Sequence, residues 1–140
     1  MTENFKIISS FIKDMSSETP DIQTFLFVKE KISAYQLNID INSKAVKKGI
    51  IEVDIVLKFS DKPEVLRKSY FEIIYTSVVK VNEKVSDKKE MEKIILCDVP
   101  NKIYPTLEKI FINLLTDSGF PGIQFEKKVD FTKLYKQKSN

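Results

Sequence analysis

The chain has 140 residues, enough for one domain to bury a core without a disulfide or a metal ion to hold it together. Its 42% hydrophobic and 31% charged residues are typical of a globular protein, and 23 basic against 20 acidic residues give a net charge of +3. With no His, one Cys and three Gly, the chain excludes imidazole catalysis, a thiolate metal cage, an intrachain disulfide and glycine-rich phosphate loops.

The first apolar segment, residues 5–15, is compatible with two secondary structures, because its spacing suits one face of a strand and also one face of a helix. Its apolar members are Phe5, Ile7, Ile8, Phe11, Ile12 and Met15. The breaker Thr19-Pro20-Asp21 ends the segment. Four consecutive apolar residues, Phe25 to Val28, then lie in a connection over 22–34 that we expect to be loop-like, where they need a cover or a ligand.

Alternation of apolar and polar residues predicts two strands, over 35–42 and 51–60, each with one face on a core and one toward water. A third strand is predicted over about 66–81, after a turn that contains Pro63. Both faces of this third strand carry apolar side chains. We therefore expect its second face to be covered by helices or by another subunit.

The second half of the chain changes to helical spacing. Asp87, with an acidic residue three positions later, forms a capping box that predicts a short helix, which Pro100 is expected to interrupt. An amphipathic helix follows over about 103–115, with Pro105 in its first turn. The stretch Gly119 to Gly122 is predicted to end it.

The chain closes with a short predicted helix capped by Asp130, and we expect residues 136–140 to form a disordered tail. Strands therefore come first and helices last. This order predicts an α+β fold in one domain over residues 1–140, with helices on one side of an antiparallel sheet.

Residues that could carry catalysis are few. Asp14 with Glu18, and Glu52 with Asp54, are candidate carboxylate pairs, but the second pair lies on the predicted solvent face of a strand. Cys97 has no base near it in the sequence and is expected to be a buried core thiol. The chain thus shows no nucleophile with its base and no metal cluster, and we predict neither an enzyme nor a bound cofactor.

A set of apolar residues lies in predicted connections and short helices, outside the alternating strands. Its members are Phe25, Leu26, Phe27, Val28, Phe120, Ile123, Phe125, Phe131, Leu134 and Tyr135. These side chains either close the core of the domain or line an apolar groove for extended polypeptide. Such a groove would gain affinity from apolar burial, at roughly 25 cal/mol per Å², and would need no catalytic residue.

The positive net charge raises nucleic-acid binding as a function of another class. Arg67 is the only Arg, however, and Lys and Glu are interspersed, as in the run over 88–93. Nucleic-acid readers usually rely on the two-pronged guanidinium of Arg, so this alternative is the weaker one.

Three ordered stretches resemble the SecB family of bacterial protein-export chaperones. Residues 11–21, FIKDMSSETPD, are similar to its N-terminal signature, and residues 97–105, CDVPNKIYP, are similar to the start of its main helix. The pair SGFP at 118–121 and VDFTKLY at 129–135 resembles its C-terminal ending. The match covers roughly residues 5–135 in the family's order and spacing.

The resemblance implies a four-stranded antiparallel sheet, followed by C-terminal helices packed on one face, that assembles as a dimer of dimers. It also implies a cytoplasmic chaperone that holds unfolded secretory precursors and hands them to the SecA motor ATPase. No cofactor, no nucleic acid and no direct membrane insertion belong to that activity, and residues 1–4 show no signal peptide.

The family's functional surfaces fall on particular residues of this sequence. The resemblance implies a SecA-binding surface at Asp14, Glu18, Tyr70 and Glu72, and a subunit-association region at Phe71, Ile73 and Tyr75. It also implies a client-binding groove formed by Phe25, Leu26, Phe27, Ile123, Phe125, Phe131, Leu134 and Tyr135.

Two features depart from the family's pattern. This chain is mildly basic where relatives are usually acidic, and it ends in Lys-Gln-Lys-Ser-Asn where relatives carry a longer acidic extension. An alternative within the same fold is therefore a chaperone dedicated to the antitoxin of a toxin–antitoxin pair.

Overall fold

The structure, a computed structural model, describes residues 4–125 and 129–139. Four strands form one antiparallel sheet in the order β1-β4-β3-β2. They are β1 (Phe5–Glu18), β2 (Gln36–Lys47), β3 (Ile50–Ser60) and β4 (Tyr70–Val81). The predicted α+β architecture is confirmed, and the third predicted strand begins at Tyr70, four residues later than expected.

The first segment is a strand rather than a helix because β4 supplies backbone partners along its whole length, from Phe5 opposite Val81 to Glu18 opposite Tyr70. The pairing register shifts between Ile7 and Ser9 and again between Ile12 and Asp14. Ile8 and Lys13 are thus the extra residues of two β-bulges, which change the face to which the following side chains point.

The connection after β1 is a helix, α1 (Ile22–Lys31), followed by a 3-10 turn over Ile32–Ala34. The expected loop-like structure is wrong here. The carboxylate of Asp21 accepts a hydrogen bond from the backbone N–H of Thr24 at 2.7 Å, which caps the helix. Hydrogen bonding to the Thr24 side chain, and then to its backbone N–H, lowers the pKa of Asp21. Because successive residues of a helix point in different directions, the apolar run splits: Val28 is buried, whereas Leu26 is exposed.

The C-terminal helices pack on one face of the sheet. They are α2 (Lys88–Lys93), a π turn over Ile94–Asp98, α3 (Val99–Asp117) and α4 (Phe131–Ser139). Alternate side chains of β3 and β4 point toward these helices and form the core with Leu107, Phe111 and Leu115 of α3. The helices lie on one side of the sheet, as predicted, but they do not cover the second face of β4, which carries Tyr70, Ile74 and Val78.

Pro100 does not interrupt the helical segment, contrary to expectation. It lies in the first turn of α3, where no N–H is needed for a helical hydrogen bond, and the π turn joins α2 to α3. Pro105 lies deeper in α3 than predicted, and its missing N–H leaves the carbonyl of Asn101 without its usual helical donor.

Both ends of the C-terminal region follow the sequence signals. The helix α3 ends at Asp117, and Gly119 follows with a φ of 103°. Asp130 accepts a hydrogen bond from the backbone N–H of Lys133 at 3.2 Å and so caps α4, as predicted. Helical backbone continues through Ser139, within the segment expected to be a disordered tail, and Asn140 lies outside the described residues.

Candidate binding surfaces

A chain of aromatic contacts links α1 to the sheet. The rings of Phe25 and Phe120 lie 5.2 Å apart, and Phe120 meets Phe71 of β4 edge-on at 5.6 Å. The ring of Phe125 packs edge-on against Phe59 of β3, also at 5.6 Å. Phe25 and Phe125 are therefore half-buried at the margin of the core, in positions where a client could reach them only in part.

The outer side of α1 is apolar and uncovered in the described structure. Ile22 is 65% exposed, Leu26 57% and Phe27 37%. Ile22 and Leu26 are four residues apart and so lie on one side of the helix, while the Lys29 ammonium lies 6.0 Å from the Phe25 ring. We call Ile22, Leu26 and Phe27 the α1 patch.

The three client-groove candidates on α4 divide into a core residue and two at the surface. Phe131 is 1% exposed and packs edge-on against Tyr104 of α3 at 5.4 Å, so in this protomer it belongs to the core and its contact with client stays a prediction. Burial also raises the pKa of Tyr104. Leu134 is exposed, and the Tyr135 hydroxyl donates to the Lys89 carbonyl at 3.4 Å. We call Leu134 and Tyr135 the α4 patch.

The α1 patch and the α4 patch lie near opposite ends of α3. The start of α3 meets α4 through Asn101, which donates to the Thr132 hydroxyl at 3.3 Å. Its far end meets α1 through the close approach of Gly119 to Phe25. Asn101 and Asp117 are separated by roughly 24 Å along the helix axis. The α1 patch and the α4 patch are therefore well separated along α3 within a protomer.

Cys97 is buried, as predicted for a core thiol. Its sulfur lies 3.3 Å from the Thr132 hydroxyl and 3.5 Å from the Asn101 amide nitrogen. The thiol thus helps to join α4 to the π turn. Within residues 4–125 and 129–139, no group of three or more His, Cys, Asp or Glu side chains could hold a metal ion.

The four residues implied for SecA binding lie together at one end of the sheet. Glu18 pairs with Tyr70, and Ser16 pairs with Glu72 in the antiparallel register of β1 and β4. Asp14 lies two residues before Ser16, so its side chain shares their face. This face is the one that the helices leave open. We call Asp14, Glu18, Tyr70 and Glu72 the strand-end surface.

The residues implied for subunit association lie on the opposite face, inside the protomer. Phe71 is 2% exposed and Ile73 is fully buried, while Tyr75 is almost completely buried beneath the helices. The chain's own helices cover these residues within the protomer, and their part in subunit association stays a prediction. Any influence of these residues on assembly has to act through the packing of the core.

The second carboxylate pair is not simply solvated. The Lys13 ammonium contacts Glu52 at 2.8 Å and Asp54 at 3.3 Å, and the Thr76 hydroxyl donates to Asp54 at 2.7 Å. The hydrogen bond with Glu52 is the main cause that raises the pKa of Lys13. This ion-pair cluster was not predictable from the sequence, because the apolar pattern does not show the bulge that turns the Lys13 side chain onto the open face.

A cleft of about 670 Å³, which the sequence pattern does not predict, adjoins the strand-end surface. Its lining includes Glu18 and Tyr70 together with Leu66, Arg67 and Lys68 of the loop between β3 and β4. Leu66 had been predicted to begin a strand, but it stands 92% exposed. In the sequence, the available signal was a Leu followed directly by two basic residues.

The comparisons with known proteins agree with this fold. The family model described as "Preprotein translocase subunit SecB" matches residues 1–140. The chain belongs to the SecB family. A protein of Pelagibacter ubique (strain HTCC1062) that carries the SecB protein-export name is 76% identical over 140 residues, which cover all of both chains. The SecB protein-export protein of Methylocella silvestris is 27% identical over 129 residues, covering 91% of this chain and 78% of that relative.

Among solved structures, a SecB-like chaperone of Mycobacterium tuberculosis in complex with an antitoxin peptide has the same fold. It superposes with a TM-score of 0.64 and 11% sequence identity, covering 89% of this chain and 91% of that chain. SecB proteins are protein-export chaperones and not enzymes, which agrees with the lack of catalytic groups in the sequence. No helix in the described part of the chain is long and apolar enough to cross a membrane.

Proposed function

We propose that this SecB chain holds unfolded secretory precursors in the cytoplasm, as a homotetramer built from two dimers, and delivers them to the SecA motor ATPase. The α1 patch is the observation that carries the client-holding part. Three large apolar side chains on a capped helix lie uncovered in water, although the same helix buries Val28 almost completely. Exposed apolar area of this kind gains free energy when an unfolded chain covers it.

Client holding is tested with an unfolded protein whose refolding is slow enough to follow. The wild-type chain is expected to delay refolding or aggregation without ATP, and Leu26→Ser is expected to weaken this effect several-fold. Leu66→Ser is the matched control, because it removes the same side chain from a more exposed position in a different region. Equal activity of the Leu26→Ser variant and wild type would contradict client binding at α1.

Delivery to SecA is proposed for the strand-end surface. Asp14 and Glu18 are exposed and Glu72 is partly so, with the Lys58 ammonium 3.9 Å from Glu72. An acidic surface beside the Tyr70 ring suits a positively charged, partly apolar segment of a partner protein. The four side chains lie on two adjacent strands, so the sheet fixes their spacing before the partner arrives.

Charge reversal tests the SecA contact. Glu18→Lys and Glu72→Lys are expected to weaken binding to purified SecA at least tenfold while client holding stays near the wild-type level. Glu92→Lys, on the exposed side of α2, makes the same change of net charge away from this surface. If the two kinds of variant bind SecA equally, or if a pull-down recovers one dedicated partner, delivery to SecA through this surface is wrong.

A further inference from the structure

The cleft beside the strand-end surface has a rigid base. The hydroxyls of Thr19 and Ser69 are hydrogen-bonded at 2.7 Å, which ties the end of β1 to the loop before β4. Tyr35 bonds Ser69 twice, because its hydroxyl accepts from the Ser69 N–H at 2.9 Å and donates to the Ser69 carbonyl at 3.0 Å. The loop that carries Leu66 and Arg67 is therefore anchored at the point where it joins the sheet.

The rim of the cleft offers three kinds of contact. Tyr70 gives an aromatic ring, with the Lys68 ammonium 5.4 Å from its centroid, and Leu66 gives an aliphatic side chain that nothing in the described protomer covers. Arg67 gives the chain's only guanidinium, which makes no salt bridge within 4.0 Å among the described residues, although it lies near enough to the Asp21 carboxylate for the two charges to interact. A guanidinium in this situation is a strong donor for an incoming carboxylate.

The cleft and the strand-end surface form one continuous surface, because Glu18 and Tyr70 belong to both. Along this surface the charge changes sign, from the carboxylates of Asp14, Glu72 and Glu18 to the cations of the loop. An extended segment that crosses both would therefore meet acidic groups first, then apolar side chains, then a guanidinium. The complementary segment carries basic residues, an apolar residue and an acidic residue in that order.

We propose that the cleft is a second docking site for the partner that binds the strand-end surface. It receives an apolar side chain between Leu66 and Tyr70 and a carboxylate at Arg67. This inference rests on the proposed delivery to SecA and names the chemistry of the segment that docks. Arg67 and Leu66 are specificity-determining residues of that contact, and Lys68 orients the ring of Tyr70.

The test measures binding of purified SecA to four full-length variants. Arg67→Glu and Leu66→Ser are each expected to weaken binding about five- to twentyfold, the usual range for losing a charge-assisted hydrogen bond or a buried Leu contact at an interface. Arg67→Lys keeps the positive charge but not the two-pronged geometry of the guanidinium, so its affinity for SecA is expected to lie between those of Arg67→Glu and wild type. Lys84→Glu, in the loop after β4, is the matched control for charge.

The outcomes separate this inference from the proposal on which it rests. One outcome is that Glu18→Lys weakens SecA binding, whereas Arg67→Glu and Leu66→Ser bind as well as the Lys84→Glu control. This outcome would overturn docking at the cleft and leave delivery to SecA intact. If every variant binds SecA equally, or if the wild-type chain does not bind SecA, both the docking at the cleft and the delivery to SecA are wrong. Loss of client holding in Arg67→Glu would also overturn the inference, because the cleft would then serve the client.

Discussion

Individual residues decide which apolar side chains of this chain remain available to a client. Phe25 to Val28 are neighbours in sequence, yet Val28 is 1% exposed and Leu26 57%. Asp21 causes this division, because its cap begins the helix that rotates each side chain away from the last. The same capping chemistry was predictable at Asp87 and Asp130, where helical spacing follows. At Asp21 the cap was not predictable, because Pro20 precedes it and the four consecutive apolar residues that follow show no helical spacing.

Phe131 illustrates a side chain whose role the sequence could not reveal. Its replacement by Ala is expected to lower the free energy of unfolding by about 3 kcal/mol or more, because a buried ring is lost from the contact with Tyr104. Leu134→Ala, on the exposed side of the same helix, is expected to cost less than about 1 kcal/mol. Urea denaturation compares the two. Equal losses would place Phe131 at the surface.

Lys13 gives the molecule a dependence on alkaline pH. Its hydrogen bond to Glu52, and then that to Asp54, raise its pKa above the ordinary value of 10.5, so the folded state holds this proton more tightly than the unfolded chain. The ion pair therefore stabilises the fold fully at pH values below 10.5, and this stabilisation is lost as the pH rises through the raised pKa of Lys13.

Lys13→Met is accordingly expected to make the melting temperature fall less steeply than in wild type as the pH is raised above about 10. Between about pH 6 and 7.5 both proteins should give a flat profile, since the chain has no His. Thermal unfolding at a series of pH values provides the comparison. Parallel curves throughout the alkaline range would show that the ion pair does not form in solution.

Whole elements were predictable where one periodicity stood alone. β2 alternates from Leu37 to Ile41, β3 alternates from Ile51 to Phe59 except at Val56, and α3 keeps helical spacing, so their residues indicated both type and buried face. β1 was undecided because its two bulges break the alternation, and only its pairing with β4 decides the outcome. The position of α1 depends on a tertiary contact, the approach of Phe25 to the turn after α3, which leaves no periodic trace.

That contact makes Gly119 a sensitive position. A Cβ at Gly119 would lie 2.5 Å from Cε1 of Phe25, at a backbone φ of 103° that other residues adopt with strain. Gly119→Ala is expected to destabilise the fold by about 1–3 kcal/mol and to displace α1, which would change client holding as well. Measurements of unfolding free energy and of client refolding test the two effects.

Gly122→Ala is the control for backbone strain alone. Its φ of 83° is also positive, but a Cβ there would meet nothing within 4 Å. This variant should lose some stability and keep wild-type client holding. If the two Ala variants behave alike in both measurements, the packing of Gly119 against Phe25 does not determine where α1 lies.

At the scale of the whole molecule, sequence patterns gave the layer architecture but not the surfaces. Only the family resemblance indicated Asp14, Glu18, Tyr70 and Glu72, and the register of β1 and β4 then brings them onto one face. The cleft depends on a loop whose shape is fixed by buried hydrogen bonds at Ser69, which no spacing rule predicts. The separation of the α1 patch from the α4 patch likewise emerges only from the length of α3.

The proposed assembly has a structural basis at β1, the edge strand of the sheet. Ile12 and Met15 pair with Tyr75 and Ile73 on the helix-covered face, yet they are 43% and 44% exposed because the helices do not reach over them. An edge strand with uncovered apolar side chains is a ready site for a second copy, which could also bring the client patches of different protomers closer together.

The double variant Ile12→Lys, Met15→Lys is therefore expected to have a lower solution mass than the tetramer proposed for the wild type, because charged side chains would have to be buried at the subunit contact. Light scattering measures the mass, and urea denaturation checks that each protomer remains folded. Phe11→Lys is the control, since Phe11 is as exposed but pairs with Thr76 on the open face. A wild-type monomer, or a tetramer that survives both Lys substitutions, would exclude assembly through the helix side of β1 and would leave each client patch to act within a single protomer.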